Sequence, residues 1–192
     1  MAKTNVSTDV LVVGAGPAGS AAAAWCARHN LDVLLVDAEE FPRDKPCGDG
    51  LTPRAIAELD SLGLSSWLDG RARNKGLRAA GFGQELYLPW PGGNLPNYGG
   101  AAPRLELDAA IRQVAIDSGS QVLEGLRAKD VVMAGNKVTG VVFNNGTTID
   151  CKRLIVADGA KSQLGRALGR SWHRSTAYGV AARGYIKSHR SD

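Results

Sequence analysis

The sequence predicts an α/β fold with a buried parallel sheet, and four neighbouring segments near its amino end carry that prediction. Residues 10–13 are apolar and rich in β-branched side chains, which is typical of a strand buried on both faces. The glycine-rich turn GAGPAG follows at residues 14–19, and an Ala-rich segment with helical propensity comes after it. Residues 31–38, LDVLLVDA, predict a second buried strand. This order of strand, glycine turn, helix and strand is that of a Rossmann-like unit.

The glycine turn has the spacing of a dinucleotide-binding site. Gly14 permits the tight turn, Gly16 lets a pyrophosphate approach the backbone, and Gly19 allows the helix to pack closely on the strand. Pro17 and Ala18 begin the helix, whose free N–H groups and positive dipole end face the phosphates. We predict that all five residues bind the cofactor. A glycine turn with a purely structural role is the alternative.

An acidic residue ends the second strand at the position that contacts an adenosine ribose in such folds. Asp37 follows Gly19 by eighteen residues, and its carboxylate would accept hydrogen bonds from both ribose hydroxyls. A carboxylate here disfavours a 2′-phosphate, so NADP is not expected at this site. The motif is compatible with both NAD and FAD.

The composition is that of an ordinary globular protein. The chain has 192 residues, of which 44% are hydrophobic and 22% charged, enough for one good-sized domain or for one domain and part of another. No apolar run approaches the ~20 residues that a membrane-spanning helix needs, and the amino terminus lacks the apolar core of a signal peptide. We therefore expect a cytoplasmic protein.

Metal binding and nucleic-acid binding are not expected. Three cysteines and three histidines lack the spacing of metal ligands or of a disulfide framework. The net charge of +4 is mild, and the basic residues near the carboxyl end lack an aromatic or repeated basic motif. A weak attraction of these residues to an anionic membrane surface is compatible with the sequence.

The segment after Asp37 is predicted to be an ordered loop that carries part of the site. Prolines and glycines break regular structure over residues 38–51, and loops at the carboxyl ends of parallel strands are where α/β folds bind ligands. Its CGDG sequence indicates backbone that passes close to a flat or large ligand, with a simple turn as the alternative. Thr52 and Pro53 then begin a helix.

The middle of the chain departs from the plan of a soluble dehydrogenase. Residues 77–82 and 85–88 predict a strand pair, and residues 89–103 are too rich in Pro and Gly for helix or strand. Helical periodicity returns at residues 104–118. The interruption of the parallel topology favours a flavoprotein over an NAD-dependent dehydrogenase.

A meander takes the place of the usual crossover helix before the last buried strand. The predicted elements are a short strand (121–124), three meander strands (128–133, 138–143, 147–149), a buried strand (153–157), a helix (164–169) and a final strand (177–186). Asp158 and Gly159 form the turn after the buried strand.

Four separate motifs resemble those of the geranylgeranyl reductase family, which are flavoproteins with the p-hydroxybenzoate hydroxylase fold. The motifs are GAGPAGSAAA with Asp37, FPRDKPCGDGLTPRA (41–55), RLELD (104–108) and IVADGAKSQLGRALG (155–169). Within this family the sequence is most similar to the bacterial branch that saturates one isoprene unit of the menaquinone side chain. That similarity includes WHRSTAYGVAARGYI (172–186).

The resemblance implies a Rossmann-like FAD-binding domain in which FAD lies over the glycine turn and its adenosine ribose is held by Asp37. It implies that Arg104 reaches the phosphate or ribityl side of the flavin, against the alternative of a surface arginine at a helix start. It also implies that Asp158 and Gly159 touch the pyrophosphate and ribityl region, against the alternative of a turn that only ends a strand.

The resemblance also places the CGDG loop near the isoalloxazine ring. Cys47, Gly48 and Asp49 are implied to lie there, and Cys47 borders the space in which the prenyl chain meets the flavin. Cys47 is accordingly the catalytic candidate, although an isolated cysteine is more commonly an inert thiol.

The family's organisation implies a divided domain. Residues 1–70 and 104–170 would form the FAD-binding domain, residues 71–103 would belong to a substrate domain, and residues 171–192 would begin the rest of it. Family members continue for about as many residues again and carry a second Gly-Asp motif. We therefore expect this chain to be the N-terminal part of such an enzyme, truncated and with its catalytic centre incomplete.

The implied function is FAD-dependent reduction of an isoprenoid double bond. The substrate would be a lipoquinone or another polyprenyl compound, the electron donor NAD(P)H or another reductant, and the location the cytoplasm or the inner face of the cell membrane. Two alternatives remain. One is an FAD- and NAD(P)H-dependent aromatic monooxygenase, which the CGDG segment disfavours, and the other is a non-catalytic nucleotide-binding remnant.

Overall fold

The computed structural model describes residues 6–171, 173, 175–177, 179–180 and 182–189. In chain order its elements are β1 (Val6–Val13), α1 (Pro17–Arg28), β2 (Val33–Val36), β3 (Gly50–Leu51), α2 (Pro53–Ser61), α3 (Ser65–Leu68), β4 (Arg73–Asn74), β5 (Gly76–Gly81), β6 (Gln84–Pro89), β7 (Gly99–Ala101), α4 (Arg104–Asp117), β8 (Gln121–Leu123), β9 (Ala128–Ala134), β10 (Lys137–Phe143), β11 (Thr148–Val156) and α5 (Gln163–Ala167).

A six-stranded sheet in the order β8-β2-β1-β11-β10-β9 forms the centre of the molecule. β1 pairs in parallel with β2 and β11, and β2 pairs in parallel with β8. β10 pairs antiparallel with β11 and with β9. The predicted parallel sheet and the predicted meander are therefore confirmed, and they are parts of one sheet.

The structure has one strand where the sequence predicted two. The third meander strand and the buried strand that follows it are a single nine-residue strand, β11. Ile149 and Cys151 point into the core, whereas Asp150 and Lys152 alternate with them toward solvent. The polar residues were expected to end a strand, but a period of two places them on the outer face without interrupting it.

Both faces of the parallel strands are covered, as the sequence predicts. Val10 and Val12 pack with α1, α2 and α4 on one face. Leu11 and Val13 pack with the meander and α5 on the other face. This double burial accounts for the unbroken apolar runs in β1 and β2.

Two short strands, β3 and β7, lie in segments that were predicted to be loops. β3 and β4 flank β7 in a small antiparallel sheet, while β5 and β6 form a separate hairpin. A Cβ atom on Gly99 would lie 2.6 Å from the Leu51 carbonyl oxygen. The glycines that predicted a loop therefore permit close strand pairing.

The predicted strand at residues 177–186 is not observed in the described part of that segment, and residues 178 and 181 lie outside the described residues. The segment contacts the loop at residues 44–49 through side chains rather than through a strand ladder.

Among the helices of the described residues, none has the length and apolar character of a membrane-spanning helix. The domain boundaries at residues 70, 103 and 170 stay a prediction.

Candidate functional site

The glycine turn lies where the carboxyl ends of β1, β2 and β11 meet. The Gly14 N–H donates to the Val36 carbonyl at 2.7 Å, and the Ala157 N–H donates to the Val13 carbonyl at 2.7 Å. Gly14 has a φ of +103°, and a Cβ atom there would lie 2.3 Å from the Ala157 carbonyl oxygen. Because this position has both a positive φ and no room for a side chain, only glycine fits.

The remaining turn residues join this edge to α1. Gly16 is the N-cap residue and Pro17 begins the helix, followed by Ala18. A Cβ atom on Gly19 would lie 1.7 Å from the Gly14 carbonyl oxygen, so the helix could not approach the strand with any larger residue. A Cβ atom on Gly16 would have Nη2 of the Arg43 guanidinium as its nearest neighbour, at 3.5 Å.

Asp37 faces the backbone of the glycine turn. Its Oδ2 accepts a hydrogen bond from the Ala15 N–H at 2.6 Å, and its Oδ1 accepts one from the Glu39 N–H at 2.9 Å. The residue is 8% exposed. The carboxylate therefore holds the turn in place in addition to the ribose role predicted for it, a contribution that the sequence motif does not reveal.

Asp158 lies beside Gly14 at the end of β11. Its Oδ2 accepts hydrogen bonds from the Gln163 and Leu164 N–H groups at 3.0 and 3.4 Å, at the start of α5. Its Oδ1 is buried and has no hydrogen-bond partner among the described residues. Gly159 follows with a φ of +90°. A buried acceptor without a donor is costly, so a ligand hydroxyl or N–H at this point would lower the energy.

A buried ion cluster lies near the turn, with Arg43 next to Gly16. Nε and Nη2 of Arg104 donate to Asp108 at 2.6 and 2.7 Å, and Nη1 of Arg43 donates to Oδ2 of Asp108 at 3.0 Å. The Asp108 side chain is completely buried. Hydrogen bonding to Asp108 raises the pKa of Arg104, and the Cys47 thiol adds a smaller effect in the same direction, against the lowering by burial.

Arg43 and Asp108 were not predicted as site residues. The spacing of Arg104 and Asp108 is that of an i,i+4 pair, which could have indicated Asp108. Arg43 is separated from Asp108 by 65 positions, so no local pattern indicates their contact.

The CGDG loop is tied to two other segments. Asp49 accepts hydrogen bonds from the Tyr185 hydroxyl at 2.6 Å, from Nη1 of Arg183 at 3.3 Å and from the Arg104 N–H at 3.3 Å. The Tyr185 hydrogen bond is the main cause of a lowered pKa of Asp49, and Arg104 and Arg183 act in the same direction against burial. Gly48 has open space in front of it, and Cys47 is half-buried.

This arrangement fits a dinucleotide cofactor. Gly16 is half-buried at the start of α1, Arg43 supplies a positive charge above it, and Asp158 offers an unused buried acceptor. In the described ranges, no group of three His, Cys, Asp or Glu side chains could hold a metal ion.

Comparison with known proteins identifies the cofactor. The profile of a family described as FAD binding domain matches residues 7–183. The chain belongs to this family. This match confirms the predicted fold and the predicted cofactor, FAD. The relatives described next confirm the resemblance to geranylgeranyl reductases.

Three relatives place this FAD-binding domain more narrowly. Menaquinone reductase of Mycolicibacterium smegmatis is 58% identical over 188 residues, which are 97% of this chain and 46% of that protein. Digeranylgeranylglycerophospholipid reductase of Picrophilus torridus is 32% identical over 169 residues, 85% of this chain and 42% of that protein. A solved structure described as geranylgeranyl bacteriochlorophyll reductase-like, from Thermoplasma acidophilum, has a TM-score of 0.72 and 29% identity over 86% of this chain and 42% of that chain. The chain thus spans about half the length of the relatives it matches.

Proposed function

We propose that the chain is the FAD-binding part of a reductase that saturates an isoprenoid double bond in a lipoquinone side chain. The observation that carries the proposal is the 58% identity to a menaquinone reductase over 97% of the chain. The glycine turn, the charge above Gly16 and the free acceptor on Asp158 support FAD as the group held at this edge.

Each segment of the site has a proposed role toward FAD. Gly14, Gly16, Pro17, Ala18 and Gly19 hold the pyrophosphate at the start of α1. The ribose hydroxyls donate to Asp37, which remains within reach of the turn that it supports.

The remaining segments face the flavin half. The unpaired Oδ1 of Asp158 accepts from the ribityl region, with Gly159 next to it, and Arg104 faces the same region from α4. Bound FAD supplies the hydride transfer, and the protein supplies binding and orientation. Cys47 lies beside the Arg104 guanidinium and is the catalytic candidate of the CGDG loop, with Gly48 and Asp49 next to it.

The partners follow from the relatives' activities. The proposed substrate is a lipoquinone or another polyprenyl compound, and the proposed donor of electrons is NAD(P)H or another reductant. Because such a substrate resides in a bilayer, we propose that the protein works in the cytoplasm at the inner face of the membrane as a peripheral protein.

FAD binding is tested with the purified chain. We expect the protein to take up FAD in titrations followed by flavin fluorescence, and to unfold at a higher temperature when FAD is present. No FAD binding by the folded chain would contradict the proposal.

Reductase activity is tested in a bacterial host that makes fully unsaturated menaquinone. Residues 1–192 are expressed in place of the matching N-terminal part of the Mycolicibacterium smegmatis menaquinone reductase, and that whole reductase is the positive control. Mass spectrometry of the quinone pool should show the addition of two hydrogens with the hybrid protein. The same hybrid with Cys47→Ser should bind FAD but produce less of the saturated quinone. An unchanged pool with the hybrid, beside a functioning positive control, would contradict the proposed reductase function.

A further inference from the structure

Two arginines from distant parts of the chain share one buried carboxylate beside the glycine turn. Arg43 comes from the loop after β2, and Arg104 comes from the first turn of α4. Both guanidinium groups donate to Asp108, whose side chain is completely buried, while the arginine side chains are each 16% exposed. Asp108 is therefore the common anchor of both cations.

This small cluster carries a net positive charge. Two guanidinium groups and one carboxylate sum to one positive charge, and burial makes such a charge costly unless an anion complements it. The neighbouring carboxylate of Asp49 is engaged by Arg183 and by Tyr185. The neighbouring pair of Arg112 and Glu124 is neutral in sum. An anionic ligand is the natural complement of the cluster.

The direction of Arg43 indicates where that anion lies. Asp108 accepts from Nη1 of Arg43, and the Phe41 ring lies 4.8 Å from the guanidinium carbon, so the side chain is held from two sides. The other terminal nitrogen, Nη2, lies 3.5 Å from the point where a side chain on Gly16 would begin. The cation is thus aimed at the start of α1.

We propose that Arg43 is the side-chain contact for the cofactor's pyrophosphate and that Asp108 is the positioning residue that aims it there. The inference rests on the proposed function, because it requires FAD over the glycine turn. Arg104 is locked on the same carboxylate through two nitrogens, which leaves Arg43 as the cation next to Gly16. A guanidinium and a pyrophosphate are well matched in geometry and charge.

The test compares FAD with riboflavin, which has the same ring but no pyrophosphate. For Arg43→Gln we expect the Kd for FAD to rise roughly 10- to 100-fold, the effect of losing a charge-assisted hydrogen bond, and the Kd for riboflavin to stay within about twofold. Arg43→Lys keeps the charge and should recover part of the affinity for FAD. The affinity of the wild-type chain should fall with added salt more steeply than that of Arg43→Gln.

The control variant is Arg71→Gln. It breaks an ion pair with Glu106, which lies on α4 as Asp108 does. It should leave both affinities unchanged. For Asp108→Asn we expect weaker FAD binding in the wild-type background and a smaller loss in the Arg43→Gln background, because Asp108 acts through Arg43. If Asp108→Asn does not fold, the Arg43 variants still decide the outcome.

The results separate the two levels of the argument. A folded wild-type chain that binds no FAD overturns the proposed function and this inference with it. Normal FAD binding by the wild type and by Arg43→Gln overturns the inference alone. An equal loss for FAD and riboflavin in Arg43→Gln also overturns it, because a general structural defect would affect both ligands.

Discussion

The two halves of the candidate site face the same edge of the sheet and are constructed in different ways. The glycine turn is fixed by backbone sterics, since added Cβ atoms on Gly14 and Gly19 would overlap backbone atoms. The other half, which we call the charged half, consists of Arg43, Arg104 and Asp108. It is fixed by one ion pair within α4 and by a second that joins the loop after β2 to α4.

This difference determines how each half responds to change. A steric requirement is absolute, because no rotamer relieves an overlap with backbone. A charged contact is graded, because a shorter or neutral side chain can retain part of the interaction. Substitutions in the steric half should therefore have larger effects than substitutions at the electrostatic contacts.

The largest effect is expected at the helix start. Gly19→Ala places a Cβ atom 1.7 Å from the Gly14 carbonyl oxygen, so α1 must move away from β1. We expect a loss on the order of 3 kcal/mol in the free energy of unfolding, measured by urea denaturation. Gly48→Ala is the matched control, since a Cβ atom there meets nothing within 4 Å, and should change stability by less than about 0.5 kcal/mol. Equal stabilities of the two variants would contradict the steric account.

An intermediate effect is expected at Asp37, whose carboxylate accepts a hydrogen bond from the backbone of the glycine turn. Asp37→Ala leaves the N–H of the fully buried Ala15 without its acceptor, at a cost of about 1–3 kcal/mol in stability. FAD binding should weaken by a similar amount because the ribose contacts are lost. Asp37→Asn keeps one acceptor oxygen and should lose less of both. Reduced stability with unchanged FAD affinity would show that the ribose assignment is wrong.

The smallest effect is expected at Asp49, on the outer side of the charged half. The lowered pKa of Asp49 means that its contacts stabilise the folded chain above the ordinary carboxyl pKa of about 3.9 and are lost as the pH falls through the lower folded value. Tyr185→Phe removes the main cause, so the pKa of Asp49 should rise toward the ordinary value. Carbon NMR titration of the Asp49 carboxyl measures this change, and an identical midpoint in both proteins would contradict it.

The sequence predicted the steric half well because its determinants are local. Glycine spacing, the apolar runs of β1 and β2 and the acidic residue after β2 all lie within residues 9–37. The family resemblance, rather than a local pattern, implied that Asp158 lies in this region, and the structure has Asp158 beside Gly14, where the parallel strands β1 and β11 end together. The roles assigned to these residues stay predictions until FAD is seen bound.

Most of the charged half could not be predicted from the sequence. Arg43 looked like one more polar residue in a loop, because its contact with Asp108 depends on how that loop crosses α4. The two short strands β3 and β7 were missed for a related reason, since the same glycines predict a loop or close strand pairing according to what lies opposite. Such information resides in tertiary packing.

A structure of the chain with FAD bound tests the central claim most directly. The account predicts that the pyrophosphate lies at the start of α1 next to Gly16, within hydrogen-bonding distance of Nη2 of Arg43, with the adenosine ribose at Asp37. FAD bound elsewhere on the chain, or a pyrophosphate away from the glycine turn, would contradict it.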